Sequence, residues 1–295
     1  MNISVREWSN EAIELFVDEA PLPLLNAIRR YSLAKVPTYA IDEVTVVSNT
    51  SAMFDEILAH RLAMVPLRSE ESIDKLSSID VTTCEKCSLD SEEKPPKDVC
   101  EKCFVNMFIE VEAHDSEVTV YSRDIKSEDP YVKPVFDNIP IVILAPGQRI
   151  ALEIRARIGR GLEHAKWSPA TVAVNRNLAN IEIDKNTCDV CGKCVEVCPK
   201  KVLYIDGSEV KIRNIFDCTI CRQCVYVCPH KAIAVEGLKN KNILRIESSG
   251  SLEPETIVRL SLEILKQEIS LIQKFIETLK KGGGMWGEQD PQTIY

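Results

Sequence analysis

The stretch CDVCGKCVEVCP at residues 188–199 returns 30 positions later as CTICRQCVYVCP at 218–229, the one internal repeat in the chain. Each half reads C-x2-C-x2-C-x3-C-P. Three cysteines at i, i+3 and i+6 in a tight loop converge on three irons of one cubane, and the fourth points away, best placed to reach the neighbouring cluster. The spacing therefore assigns Cys188, Cys191, Cys194 and Cys228 to one [4Fe–4S] cluster and Cys218, Cys221, Cys224 and Cys198 to a second. Pro199 and Pro229 turn the chain after the fourth ligand, and Gly192 allows the backbone close to the inorganic sulfurs. Zinc sites space two CxxC pairs by a longer loop, so zinc or disulfides fit four cysteines within 11 residues poorly.

Outside the repeat, the chain has the length of two or three compact units, at 295 residues with 45% hydrophobic content. Its net charge of −9 argues against broad neutralisation of nucleic-acid phosphates. There is neither an apolar run of membrane-span length nor a basic-then-apolar leader pattern. These features predict a soluble, cytoplasmic protein with no direct DNA binding and no membrane association. In that compartment, 12 cysteines point to metal rather than disulfides.

Apolar alternation at Ile13, Leu15 and Val17 predicts a strand, and Leu24, Leu25, Ile28 and Leu33 a helix that Pro37 ends. Ile41–Val47 reads as extended and Asp55–Met64 as helical. Alternating runs at Phe108–Val111, Val118–Tyr121, Ile141–Leu144 and Ile150–Ile154 predict a small, mostly β domain. Residues 68–103 are a polar excursion from it. After a short strand at Ile243–Ile246, apolar residues from Ile257 to Leu279 line a helix of about seven turns. That helix has more apolar surface than one small domain covers and calls for a partner. Gly282–Gly284 should stop it and leave 282–295 a flexible tail.

The excursion carries Cys84-x2-Cys87 and Cys100-x2-Cys103, separated by 12 residues. Two such knuckles suit one tetrahedral structural Zn2+, whose binding would fold a segment without a core. A third iron–sulfur centre is the main rival. The basic groups Arg29-Arg30 and Arg155, Arg157 and Arg160 read as a solvated or interface face. Glu163 and His164 are adjacent and make a poor acid–base pair. We find no nucleophile motif, P-loop or dinucleotide fingerprint.

Three segments resemble the RNA polymerase α-type subunits. Leu25-Asn26-Ala27-Ile28-Arg29-Arg30, with Val36-Pro37 and Ala40-Ile41, is similar to that family's first helix. Asn49-Thr50-Ser51, Asp55-Glu56, Leu58-Ala59-His60-Arg61-Leu62 and Val65-Pro66-Leu67 are similar to its second motif. His164-Ala165-Lys166-Trp167-Ser168-Pro169-Ala170 resembles the version in the archaeal α-like subunit (the D type) and its eukaryotic counterpart, the third-largest polymerase subunit. A ferredoxin-like insertion before the final helix is similar to certain archaeal members of that type.

The resemblance implies an α+β fold with a discontinuous α/β dimerisation domain (1–45, 171–182 and 238–281). It further implies a β-rich insert domain at 46–170, with the four-cysteine metal knuckle at 84–103, and a ferredoxin-like two-cluster domain at 183–237. The implied function is a non-catalytic assembly platform of an archaeal DNA-dependent RNA polymerase. It would pair with subunit L, then gather small subunits N and P and the large catalytic subunits, with the clusters stabilising the inserted domain. The rival is an electron-carrying ferredoxin-type subunit of an oxidoreductase, which has no use for a long partner-seeking helix.

Overall fold

The computed structural model describes residues 1–72, 80–88 and 93–281. The expected glycine stop and flexible tail at 282–295 lie outside the described residues. In chain order the strands are β1 (Asn2–Trp8), β2 (Ala12–Asp18), β3 (Pro37–Asn49), β4 (Phe104–Glu112), β5 (Val118–Tyr121), β6 (Lys126–Ser127), β7 (Pro140–Leu144), β8 (Arg149–Arg160), β9 (Ala170–Ile183), β10 (Leu203–Asp206), β11 (Glu209–Ile212) and β12 (Ile233–Ser248). The helices are α1 (Leu22–Ala34), α2 (Asp55–Ala63), α3 (Val81–Glu85), α4 (Lys97–Glu101), α5 (Lys193–Glu196), α6 (Gln223–Val227) and α7 (Pro254–Lys281).

The first sheet has the order β1-β2-β12-β9 and is antiparallel throughout. Its apolar face presents Ile13, Val17, Leu244 and Ile246, which Leu25 and Ile28 of α1 and Ile257 of α7 cover. Pro23 sits in the first turn of α1, where a missing N–H costs no intrahelical bond. α1 and α7 are fastened to each other: the Ser32 and Ser261 hydroxyls lie 3.1 Å apart, Lys35 Nζ is 3.2 Å from Glu268, and the Tyr31 hydroxyl donates to Glu268.

α7 runs 28 residues, about 42 Å at 1.5 Å per residue. Only its first turns rest on the sheet. Further along, Leu271, Ile272, Phe275 and Leu279 are each at least 60% exposed. This is the uncovered apolar surface that the sequence pattern predicts.

The second sheet has the order β3-β8-β4-β6, with a β5–β7 ribbon beside it. Ile41, Leu58, Leu62, Met107, Ile109, Leu152 and Ile154 form its core. β3 begins at Pro37 and pairs with β8 from there, so the chain leaves the first layer directly after α1, ahead of residue 45.

β9 and β12 are long, and β12 far exceeds the short strand expected at Ile243–Ile246. They pair from Ala170 opposite Ser248 to Ile183 opposite Ile233, while β2 reaches only Lys241–Glu247 of β12. The far half of this ribbon therefore projects beyond the first sheet. Ala179, Ile181, Ile233 and Val235 on it pack against Val202, Leu203 and Val210 from the β10–β11 side. The polar run Lys239-Asn240-Lys241-Asn242, at an irregularity in the pairing, masks the continuity of β12 in the sequence.

Candidate metal centres

The two cysteine loops fold alike. Left-handed backbone recurs at matched positions: Val190 and Ile220 (φ 57° each), Gly192 and Arg222 (80° and 60°), Lys201 and Lys231 (48° and 52°). The first two pairs wrap each loop back on itself before the short helices α5 and α6, and the third turns the chain after them. Glycine adopts such a φ freely, whereas the side chains at the other five positions are held there against their preference.

Cys188, Cys191 and Cys194 line one small hollow together with Cys228 from the second repeat. Cys218, Cys221 and Cys224 line its twin together with Cys198 from the first. All eight are free thiols. The fourth sulfur of each repeat accepts a backbone N–H four residues on: Val202 N to Cys198 Sγ at 3.4 Å and Ala232 N to Cys228 Sγ at 3.3 Å. Burial, and then the neighbouring Cys218, pushes the Cys224 thiol up to about 11. Burial raises Cys194 and Cys218 as well, with added repulsion from Cys228 and Cys198 respectively, the cysteines that cross between repeats. Crowded thiols of this kind deprotonate only against concentrated positive charge, and N–H groups aimed at sulfur favour the thiolate. This donor set fits two iron–sulfur cubanes.

The module is seated on the first sheet by contacts that the spacing of cysteines does not reveal. Phe216 meets Phe16 edge-on at 5.6 Å, with the Arg6 guanidinium 3.5 Å above its ring. Arg176 of β9 donates to the carbonyls of Phe216, at 2.7 Å, and Cys218, at 3.4 Å. The only sequence signal is an aromatic residue two positions before the second repeat.

The Cys84–Cys103 excursion forms a satellite core of its own. Cys84, Cys87 and Cys103 are buried and pack with Cys100 and Phe104. The two knuckles are built alike, Cys87 N donating to Cys84 O at 3.0 Å and Cys103 N to Cys100 O at 2.9 Å. In this structure the two knuckles are joined as Cys84–Cys103 and Cys87–Cys100. The knuckles face each other with both Cα–Cα separations at 5.5 Å, within the span a disulfide bridges.

The arginines of β8 also depart from expectation. Arg157 is fully buried, not part of a solvated face, because β8 is interior, flanked by β3 and β4. It bonds Asp42 at 2.7 Å and the Cys84 carbonyl at 3.2 Å, and pairs with Glu163. Arg160 binds Glu85 through two bonds of 2.6 and 2.7 Å, and Arg155 pairs with Glu43 at 2.6 Å. Lys166 bonds Asp42 at 2.7 Å, and Trp167 Nε1 donates to the Arg157 carbonyl at 3.0 Å. A Cβ on Gly159 would lie 2.6 Å from the Trp167 ring, so only glycine admits that ring. The 163–170 motif thus packs around Arg157 and Asp42 of the insert sheet, and Arg157 and Arg160 in turn hold the knuckle. Glu163 faces Arg157, while His164 Nδ1 accepts from Lys166 N at 3.1 Å.

Comparison with known proteins agrees with this architecture. Residues 44–186 match the RNA polymerase Rpb3/RpoA insert domain, and residues 187–232 match a 4Fe-4S dicluster domain. An α-type polymerase subunit carrying an inserted two-cluster module is the class that fold and site define. Over 281 residues, 94% of this chain and 98% of the relative, the sequence is 36% identical to the DNA-directed RNA polymerase subunit Rpo3 of Methanosphaera stadtmanae. The Rpo3 of Archaeoglobus fulgidus is 35% identical over 278 residues (94% and 98%), and that of Thermococcus kodakarensis 34% over 282 (95% and 98%). The chain belongs to the Rpo3 family of DNA-directed RNA polymerase subunits. The relatives are named as subunits of a DNA-directed RNA polymerase. No helix of the described residues is long and apolar enough to cross a membrane.

Proposed function

We propose that this chain is the assembly platform of a DNA-dependent RNA polymerase in the cytoplasm. The first sheet with α1 and α7 is its dimerisation unit and takes the α-like subunit L. The heterodimer then gathers small subunits N and P and the large catalytic subunits. The supporting observation is α7: its apolar side continues past its own sheet, beside α1, with Ile272 and Phe275 uncovered.

Cys188, Cys191, Cys194 and Cys228 would hold one [4Fe–4S] cluster and Cys218, Cys221, Cys224 and Cys198 the other. When bound, the clusters supply iron–thiolate bonds that cross-link the loops of a module with few buried apolar side chains, and a one-electron couple. In the reduced chain, Cys84, Cys87, Cys100 and Cys103 would hold one structural zinc.

The test is anaerobic co-expression with L, with light scattering for stoichiometry and iron, sulfide and zinc measured on the same peak. The expected species is a 1:1 heterodimer with about eight irons and one zinc. Ile272→Glu with Phe275→Glu should abolish the pairing and leave the iron content unchanged. A chain that ignores L yet passes electrons reversibly would favour the ferredoxin-type reading instead.

A further inference from the structure

We propose that the Cys84–Cys103 knuckle is an oxidative exchange site. Reduced, its four thiolates hold one divalent zinc; oxidised, they close as Cys87–Cys100 and then Cys84–Cys103, and the knuckle keeps its seat. The metal-bound state rests on the zinc reading above; the order of closure rests on geometry.

Each disulfide crosses between the knuckles, and neither joins the two cysteines of one CxxC. The same four sulfurs that pack as one small core are therefore within pairing distance across the gap. Access differs sharply among them. Cys84, Cys87 and Cys103 are 0%, 6% and 1% exposed, while Cys100 is only half-buried. An oxidant from solvent meets Cys100 first, and the sulfur paired with it is Cys87.

The seat does not depend on the sulfurs. Arg157 holds the Cys84 carbonyl, Arg160 grips Glu85 through both carboxylate oxygens, and Ile158 N donates to the Cys103 carbonyl at 3.2 Å. A knuckle held only by metal would unfold on losing it. This one keeps its backbone anchors.

With a peroxide as oxidant, the Cys100 thiolate attacks an oxygen: an S–O bond forms, the O–O bond breaks, and hydroxide leaves to be protonated by solvent. The Cys87 thiolate then attacks that sulfenic sulfur; the S–S bond forms, the S–O bond breaks, and a second hydroxide leaves and is protonated. A second peroxide takes Cys84 and Cys103 through the same two steps. In sum, four thiolates, two peroxides and four protons give two disulfides and four waters, with four electrons passing from sulfur to oxygen. Zinc, left without thiolates, is released.

The experiment uses the full chain purified anaerobically, with zinc measured before treatment. Hydrogen peroxide is added stepwise while a chromogenic indicator follows zinc release. Disulfides are mapped by non-reducing peptide mass spectrometry, and amide exchange is followed over residues 81–88 and 97–103. The expected result is Cys87–Cys100 before Cys84–Cys103, one zinc released per chain, and knuckle exchange rates changed less than about threefold. Cys87→Ser should leave Cys100 as a trappable sulfenic acid. Bonds within a knuckle, irreversible oxidation of Cys100 in the intact chain, or loss of protection over the knuckle would each overturn the proposal. An untreated chain without zinc would overturn the zinc assignment, and the mass map alone would then decide the ordered closure.

Discussion

Arg157 donates from Nε to Asp42 at 2.7 Å with its own side chain 1% exposed, so the insert sheet carries a buried cation whose charge is met entirely by protein. Glu163 meets the far side of the guanidinium, and the Cys84 carbonyl takes a further N–H. Removing one partner of such a set strands the others. Arg157→Met should destabilise the insert domain by about 3 kcal/mol, read from urea unfolding, with loss of amide protection over α3.

The same set predicts an acid limb. Burial alone would raise the Asp42 carboxyl, but hydrogen bonds and charge from Arg157 and Lys166 outweigh it, and the net shift is downward from 3.8. A carboxylate with a depressed folded pKa contributes stability that is present above its unfolded value and is lost as pH falls through the folded value. The stability gap between the native chain and Asp42→Asn should therefore be constant above about pH 5 and close below about pH 4. Urea midpoints measured across that range check it.

Arg222 holds φ at 60° where its counterpart in the first repeat is Gly192 at 80°. Arg222→Gly should relieve about 1 kcal/mol of backbone strain and slow iron loss to a chelator several-fold under anaerobic conditions. Gly192→Ala should do the reverse. The new methyl meets only Ile205 Cδ1 at 3.5 Å, an ordinary contact, so the cost is in the backbone.

Removing iron should unfold the cluster module and little else. Its core holds few apolar side chains apart from the cysteines, whereas the insert and first-sheet cores are independent of it. Hydrogen exchange after anaerobic chelation should rise over β10 and β11 while β3 and β8 stay protected.

The repeat at 188–199 and 218–229 allowed the grouping of the cysteines to be read in the sequence, because cysteines three apart in a tight loop are neighbours whatever surrounds them. Strands and helices with a regular apolar period, such as Leu24–Leu33 or Ile257–Leu279, were equally legible. The β1 edge strand and the β10–β11 hairpin were not. All seven β1 residues are exposed, and the hairpin is short, with only Leu203 and Val210 turned into the core.

By itself, then, the sequence determined which side chains are close through local geometry: the two cysteine loops, the paired knuckles, and an apolar helix longer than its own sheet. Tertiary structure alone decided what depends on residues far apart in the chain. β9 and β12 run on past the first sheet because pairing, not local pattern, carries them through the polar stretch at 239–242. Arg157 is buried because β3 and β4 flank its strand. Arg157 and Arg160 hold α3 against β8, a registry no local period encodes. Burial and long-range pairing are properties of the folded whole, and charge or polarity in the sequence does not report them.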